Sequence, residues 1–407
     1  MCRNLFIVDP VSAPEYDGSR LYITLLHITY LKRRLLMRVK ITVVAVIAFL
    51  MSLAIGCQTP ESSSTVRTQS PCDRACLENY VDRYMDAMLN DDTSGTLFTE
   101  GCIFTENGVR LPLGDEGLWA GMVGKGSYKF YVPDIETGQI GFFGTAREEA
   151  QDPNGDPRPV AVALRLKIEN ERISEAEQIV VRPESNLLNP DLQPGPSAAE
   201  TIEKMGEELG NPHPIFTEVI PEAERPTREE MIETANYYFT GMQKNDGKGI
   251  GDTGTYPFTD DCDRYENGGR STNVPLAPGQ EMPDPLKETV YSSHWGCKEQ
   301  FESGLIHFVT RIRDRRFVAV DRERGIVFSF CFFDHSAGKS RHFTTPDGRE
   351  VVEGPAEPWT WQIAELFKVE KGKIRRIEAV LQRCPYGMNS GWSTYEDGLS
   401  DKIQIIR

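Results

Sequence analysis

The segment Phe98-Thr-Glu-Gly-Cys-Ile-Phe-Thr-Glu-Asn-Gly108 is written a second time as Phe258-Thr-Asp-Asp-Cys-Asp-Arg-Tyr-Glu-Asn-Gly268, with Phe, Thr, an acid, Cys and Glu-Asn-Gly kept in place. Such internal similarity decides the architecture before any local pattern is read, because it announces a duplicated unit. The register extends in both directions. Residues 80–92 align with 234–246 at an offset of 154, the segment above runs at 160, 130–138 aligns with 317–325 at 187, and 167–173 with 368–374 at 201. The offset only rises, as it does when the second copy of one ancestral unit has taken insertions. The largest insertion falls between Gly268 and Phe317. The duplication also supplies an internal control: residues found in one copy alone are the better candidates for chemistry.

Before the first copy lies an apolar run, residues 41–55, preceded by Arg38 and Lys40 and closing on Leu53-Ala-Ile-Gly-Cys57. A basic start, a short apolar stretch and small residues before a cut describe an export signal. The run is short for a membrane span. Residues 1–36 read as an over-extended start, 37–56 as the signal and the polar stretch 57–71 as a tether too poor in apolar residues to pack. The remainder divides into a first repeat at 72–186, a linker at 187–225, a second repeat at 226–392 and a tail at 393–407, enough chain for two cores.

The formal charge of −16 repels phosphate backbones, so nucleic acid is not expected as a partner. No phosphate-binding loop or dinucleotide fingerprint is present, and no cofactor is expected. Beyond Cys2 and Cys57 the cysteines are Cys72, Cys76, Cys102, Cys262, Cys297, Cys331 and Cys384. Export makes disulfides plausible, and an odd set leaves a thiol free. Cys102 is within reach of Cys72 or Cys76, and Cys262 of Cys297 or Cys384. Cys331, set in Phe328-Ser-Phe-Cys-Phe-Phe333, reads as the buried free one. Cysteine and histidine spacing supports no metal site.

Leu77, Tyr80, Val81, Tyr84, Met85 and Met88 recur at helical spacing, as do Met231, Ala235, Tyr238, Phe239 and Met242. Thr227 with Glu230 three residues on forms a capping box for the second helix. Aromatic and β-branched runs at 316–320 and 326–334 flank Asp321-Arg-Glu-Arg-Gly325, and runs at 359–369 and 374–382 flank Glu370-Lys-Gly-Lys373, which reads as two hairpins. Each copy is therefore expected to be α+β, a leading helix packed on a curved antiparallel sheet and leaving a pocket at one end. Within the linker a short helix is expected over 198–209, and His213 reads as a loop residue.

Helix, Phe-Thr-Asp-Asp-Cys segment and long paired strands resemble the nuclear transport factor 2-like superfamily, which includes SnoaL-like cyclases, ketosteroid isomerase and scytalone dehydratase. Trp295-Gly-Cys-Lys-Glu-Gln-Phe301, Arg311-Ile-Arg-Asp-Arg-Arg-Phe317 and Pro385-Tyr-Gly-Met-Asn-Ser-Gly-Trp392 make the second copy similar to a bacterial and fungal branch of it. The resemblance implies two tandem cone-like domains forming an intramolecular pseudo-dimer. The placement of Cys57 after Gly56 resembles a bacterial lipoprotein signal, which implies lipidation of Cys57 and anchoring to a membrane, in the periplasm or at the outer surface. In this superfamily the catalysts are usually an Asp or His and a Tyr projecting into the cone.

Copy one, from Cys72 to Arg182, holds no histidine, whereas copy two holds His294, His307, His335 and His342. Imidazole chemistry near neutral pH therefore belongs to copy two. The catalytic candidates are His307, Asp334, His335 and Tyr238, and the ligand-binding candidates are Glu266, His294, Trp295 and Trp361. Adjacent strand residues face opposite ways, so Asp334 and His335 cannot share a pocket without a bulge. Asn-Gly at 107–108 and 267–268 favours a tight turn, beside which Glu106 or Glu266 could face the cone as a base. Tyr84 reads as core, and Arg311, Arg313, Arg315 and Arg316 read as a solvated face that could instead hold a carboxylate. Three functions follow: an exported enzyme of lyase or isomerase type acting on a small organic molecule, a non-catalytic module binding an apolar ligand or a partner, or a purely structural protein of the cell envelope.

Overall fold

Helix α1 (Arg74–Leu89) begins where Asp73 accepts the Cys76 N–H, and it buries Leu77, Tyr80, Val81, Tyr84, Met85 and Met88. Strands β1 (Phe98–Glu106) and β2 (Val109–Leu111), a single turn α2 (Leu118–Gly121), and strands β3 (Met122–Asp134), β4 (Gln139–Glu148), β5 (Arg158–Glu169) and β6 (Arg172–Val181) follow. The order then recurs. Helix α4 (Arg228–Met242), with the Thr227 and Glu230 capping box formed on both sides, precedes β7 (Phe258–Glu266) and β8 (Gly269–Arg270). After the insertion, which contains α5 (Cys297–Glu302), come β9 (Arg311–Asp321), β10 (Ile326–His335), β13 (Trp359–Glu370) and β14 (Lys373–Cys384). A small ribbon, β11 (His342–Thr344) with β12 (Glu350–Val352), interrupts the second set, and α6 (Tyr395–Gly398) ends it. This computed structural model describes residues 72–150, 152–183, 196–243 and 256–399. The expected start, signal and tether, with Cys57, lie outside the described residues.

The chain is α+β with two six-stranded sheets, ordered β2-β1-β6-β5-β4-β3 and β8-β7-β14-β13-β10-β9. The expectation of purely antiparallel sheets is corrected: β1 runs parallel to β6, and β7 parallel to β14. A hairpin forces neighbouring strands to be antiparallel, but β1 and β6 are joined through the whole meander, so either direction was open to them. The expected hairpins form. The β13–β14 turn places Lys371 and Gly372 at φ of 50° and 72°, the left-handed pair a two-residue hairpin requires.

One face of each sheet is covered by its own helix, and the opposite faces pack on each other. Phe130, Val132, Phe143 and Ile179 from the first sheet share a core with Val318, Phe328, Phe330, Leu366 and Val380 from the second. The expected helix in the linker forms as α3 (Ala198–Leu209) and buries Ile202 and Met205 in that same core. His213 accepts the Ile215 N–H at the start of a 3-10 turn. At the centre, Arg316 and Glu177 meet through two bonds of 2.6 and 2.7 Å, both fully enclosed.

The arginine cluster is the second correction. Arg313, Arg315 and Arg316 are buried rather than solvated. Irregular register of β9 against β10, with Asp314 at φ 52°, turns these side chains to different partners: Arg313 to Asp334, Arg315 to Asn236, Thr240 and Gln243, and Arg316 to Glu177.

The disulfides are Cys72–Cys76 and Cys262–Cys297, with Cys102, Cys331 and Cys384 free. Cys102 therefore pairs with neither of its expected partners, because Cys72 and Cys76 lie a helical turn apart and take each other. Cys331 is buried and free as expected. Two disulfides fit an oxidising compartment. Among the described residues no helix is long and apolar enough to cross a membrane.

Candidate ligand cavity

Strand alternation brings every second residue of four neighbouring strands to the helix-covered face of the second sheet. Phe333 and His335 from β10, Trp361, Ile363 and Glu365 from β13, Ala379 and Leu381 from β14, and Arg264 and Glu266 from β7 line a cavity of about 140 Å³. The insertion supplies the facing wall with Tyr291, Ile306, Phe308 and Val309. The cavity is thus built where the second copy departs in length from the first.

Its polar groups fall in two places. Around Arg264, Nε donates to Ser271 Oγ at 3.0 Å, Nη1 to the Tyr238 hydroxyl at 3.3 Å, and Nη2 to the Tyr291 hydroxyl at 2.6 Å and to Gln300 Oε1 at 2.9 Å. Glu266 stands 3.2 Å from the same guanidinium. Beside this group lies Glu365, buried, with Oε2 making no hydrogen bond. Burial pushes its carboxyl up to about 8 against the opposing pull of Arg264, and Glu266 adds to the rise. Burial therefore favours the protonated carboxyl, while the Tyr238 hydrogen bond opposes it. Tyr291 and Tyr238 are likewise held well in the phenol form by burial.

At the other place His335 is stacked between Trp359, 4.0 Å away, and Phe308, at 5.8 Å. It is 1% exposed, and its Nδ1 has no hydrogen-bond partner. Burial lowers its pKa to about 3, with the Phe333 and Trp359 carbonyls opposing and the Arg383 charge assisting. The ring is neutral across the physiological range.

The first copy shows what the aligned positions hold there. In matching register, Leu164 stands where Glu365 does, Phe104 where Arg264 does, Gln178 where Ala379 does and Glu148 where His335 does. The Gln178 amide lies between the Tyr84 hydroxyl, which donates to it at 3.0 Å, and Glu106, to which it donates at 2.8 Å. Trp119 donates to Tyr84 at 3.1 Å. Arg182 ties Glu106 to Glu148, and Arg158 adds to Glu148. Shrinking Gln178 to Ala379 and replacing an apolar and an acidic wall residue with Glu365 and His335 distinguishes the second copy.

Of the sequence candidates, Glu266, His335 and Trp361 reach the cavity. Asp334 does not: strand alternation turns it to the other face, where it pairs with Arg313 at 2.9 Å and accepts the Thr360 hydroxyl at 2.7 Å. Tyr238 is buried behind Arg264 rather than on the wall. His307 is buried in a 3-10 turn with its ring 6.3 Å from Phe343, while its neighbours Ile306 and Phe308 line the cavity. His294 belongs to the insertion loop, its Nδ1 2.7 Å from the Val274 carbonyl. Trp295 donates to the Pro283 carbonyl at 2.6 Å and packs with Leu305, Phe343 and Val351 in a separate small core. Glu365, Arg264 and Tyr291 were missed. The two strand residues had a signal, since the duplicated register sets a charge in copy two against Leu164 and Phe104. Tyr291 lies in the insertion and has no counterpart to compare.

A family model described as a domain of unknown function, DUF8021, matches residues 224–381, the helix, sheet and insertion that build the cavity. No curated protein matches the chain. Among solved structures, a de novo designed protein with a curved β-sheet is 16% identical, with a TM-score of 0.21, over 39% of this chain and 88% of that one.

Proposed function

We propose that the second half binds a small organic molecule in this cavity and performs acid–base chemistry on it, of lyase or isomerase type. The observation that carries the reading is the enclosed Glu365 carboxyl with Oε2 unpartnered in an otherwise largely apolar cavity, where burial raises its pKa. A buried polar atom left without a partner is destabilising by roughly 1–3 kcal/mol, a penalty that a ligand oxygen would relieve. A protonated Glu365 donates to such an oxygen, and Tyr291, accepting from Arg264, retains its own proton as a second donor. Negative charge developing on the ligand would meet these donors and the nearby guanidinium without reorganisation.

One test uses 2-octanone in D2O, following by NMR the exchange of the α-hydrogen, which the Glu266 carboxylate on the same wall would accept while Glu365 donates to the carbonyl oxygen. Faster exchange with the protein, abolished in Glu365→Gln, is the expected result. Binding without exchange would favour the second reading, a ligand-binding module, which the wide spacing of Glu365 and His335 along β13 and β10 supports. The resemblance to nuclear transport factor 2-like proteins agrees with either. Export on a lipid anchor at Cys57 belongs to the same proposal. Labelled palmitate should enter the wild-type protein in bacterial cells and not Cys57→Ser; equal labelling would remove the anchor.

A further inference from the structure

The two unpartnered atoms of the cavity are far apart. His335 is paired with Trp359 across the β10–β13 ladder, and Glu365 stands six residues further along β13. At about 3.3 Å per residue this is roughly 20 Å along the strand, well beyond the reach of one atom or one small ring. Between them the wall is Trp361 and Ile363, with Phe333, Leu381 and Val309 alongside. A volume of about 140 Å³ drawn out over such a length leaves no width for anything broader than a single unbranched chain.

Charge narrows the class further. Every nitrogen of Arg264 already donates within the chain, and Glu266 pairs with it. The guanidinium charge is already met by Glu266 inside the chain, which disfavours an anionic ligand at this end. The imidazole of His335 lies between two aromatic faces with no acid among its stacking neighbours, which suits a neutral hydrogen-bonding group. Tyr238 also acts on the Glu365 carboxyl, and the Phe333 and Trp359 carbonyls on the His335 ring. Glu365 Oε2 and His335 Nδ1, however, are enclosed without a partner, so each of these two atoms finds its partner inside the cavity or goes without.

Resting on the ligand-binding reading above, we infer that the ligand is a slender, uncharged, mostly apolar molecule with a hydrogen-bonding oxygen at each end, held lengthwise between Glu365 and His335. Chemistry acts on the end at Glu365; His335 grips and measures the other.

The test compares 1,10-decanediol, 1-decanol and sodium decanoate by tryptophan fluorescence titration of the wild-type protein. On apolar transfer alone the diol should bind more weakly than decanol, because it exposes a second hydroxyl. The inference predicts the reverse: the diol tighter by roughly tenfold, the worth of one added hydrogen bond, and decanoate no tighter than decanol. His335→Phe should keep decanol binding and erase the diol's advantage. His335→Gln, which restores a donor and acceptor, should return part of it. Equal affinity for diol and decanol, or an advantage that persists in His335→Phe, overturns the two-ended ligand while leaving the cavity. Failure of both alcohols to bind overturns the cavity reading and the inference together.

Discussion

His335 and Glu365 are displaced by the same cause, burial, in directions that follow from their charges: loss of water disfavours imidazolium and carboxylate alike. Their effects on stability therefore have opposite signs in pH. His335 falls from its ordinary 6.5 to about 3, so between those values the unfolded chain binds the extra proton and stability declines as pH falls. Glu365 rises from 4.5 to about 8, so across that window the folded chain holds the proton and stability declines as pH rises. Each slope approaches about 1.4 kcal/mol per pH unit, and the two oppose each other where the windows overlap. Urea unfolding should show Glu365→Gln losing less stability than wild type between pH 5 and 8, and His335→Phe losing less between pH 6 and 4. Parallel curves for a variant and the wild type would show that its residue does not titrate in this way. Asp334, one residue from His335, illustrates how little sequence adjacency says about role: it shares a strand with the cavity and faces away from it.

Local elements repeat faithfully because the sequences that specify them repeat. In both copies the Glu-Asn-Gly turn clamps the last strand through its asparagine: Asn107 bonds the Val180 backbone on both sides, and Asn267 does the same with Leu381. Both asparagines and the following glycines take positive φ. The glycines also admit a neighbour. A Cβ at Gly108 would meet the Asn389 carbonyl oxygen at 2.2 Å, and one at Gly268 the Ile202 amide nitrogen at 2.5 Å. Backbone, unlike a side-chain tip, cannot swing aside, so Gly268→Ala should destabilise the protein by about 2 kcal/mol or more, measured as a lower urea midpoint. An unchanged midpoint would mean that α3 shifts freely over the turn. The helices, caps and hairpins were legible for this reason, since each is set by residues close in sequence. The parallel pairing of β1 with β6 was not, because no local residue encodes the direction of a strand joined through a long connection.

The two halves join through contacts that are reciprocal. Arg74 at the start of α1 reaches Asp321 at the end of β9, and Arg228 at the start of α4 reaches Asp134 at the end of β3. These are the same pair taken twice in the aligned register, the signature of an isologous interface. The segments that follow each sheet are likewise exchanged. Helix α3, after the first, packs on Gly268 of the second, while residues 385–392, after the second, pack on Gly108 of the first. There Trp392 donates to Thr105 at 2.9 Å and lies 4.5 Å from the Arg165 guanidinium. Between the sheets, Glu177 serves both Arg316 and Arg165. Removing it leaves two enclosed guanidinium groups short of a partner, so Glu177→Ala should lower stability by about 3–5 kcal/mol in denaturant titration. A loss within 1 kcal/mol would indicate that water enters the interface.

What the chain's own letters determined is the duplication, the helix stripes, the hairpins and the confinement of histidine to one copy, because each is a matter of spacing along the chain. Glu365, Arg264 and the burial of the arginine cluster became visible only with the strands in register. A side chain's charge state and partners depend on which groups distant in sequence are brought against it, and on how much water they exclude.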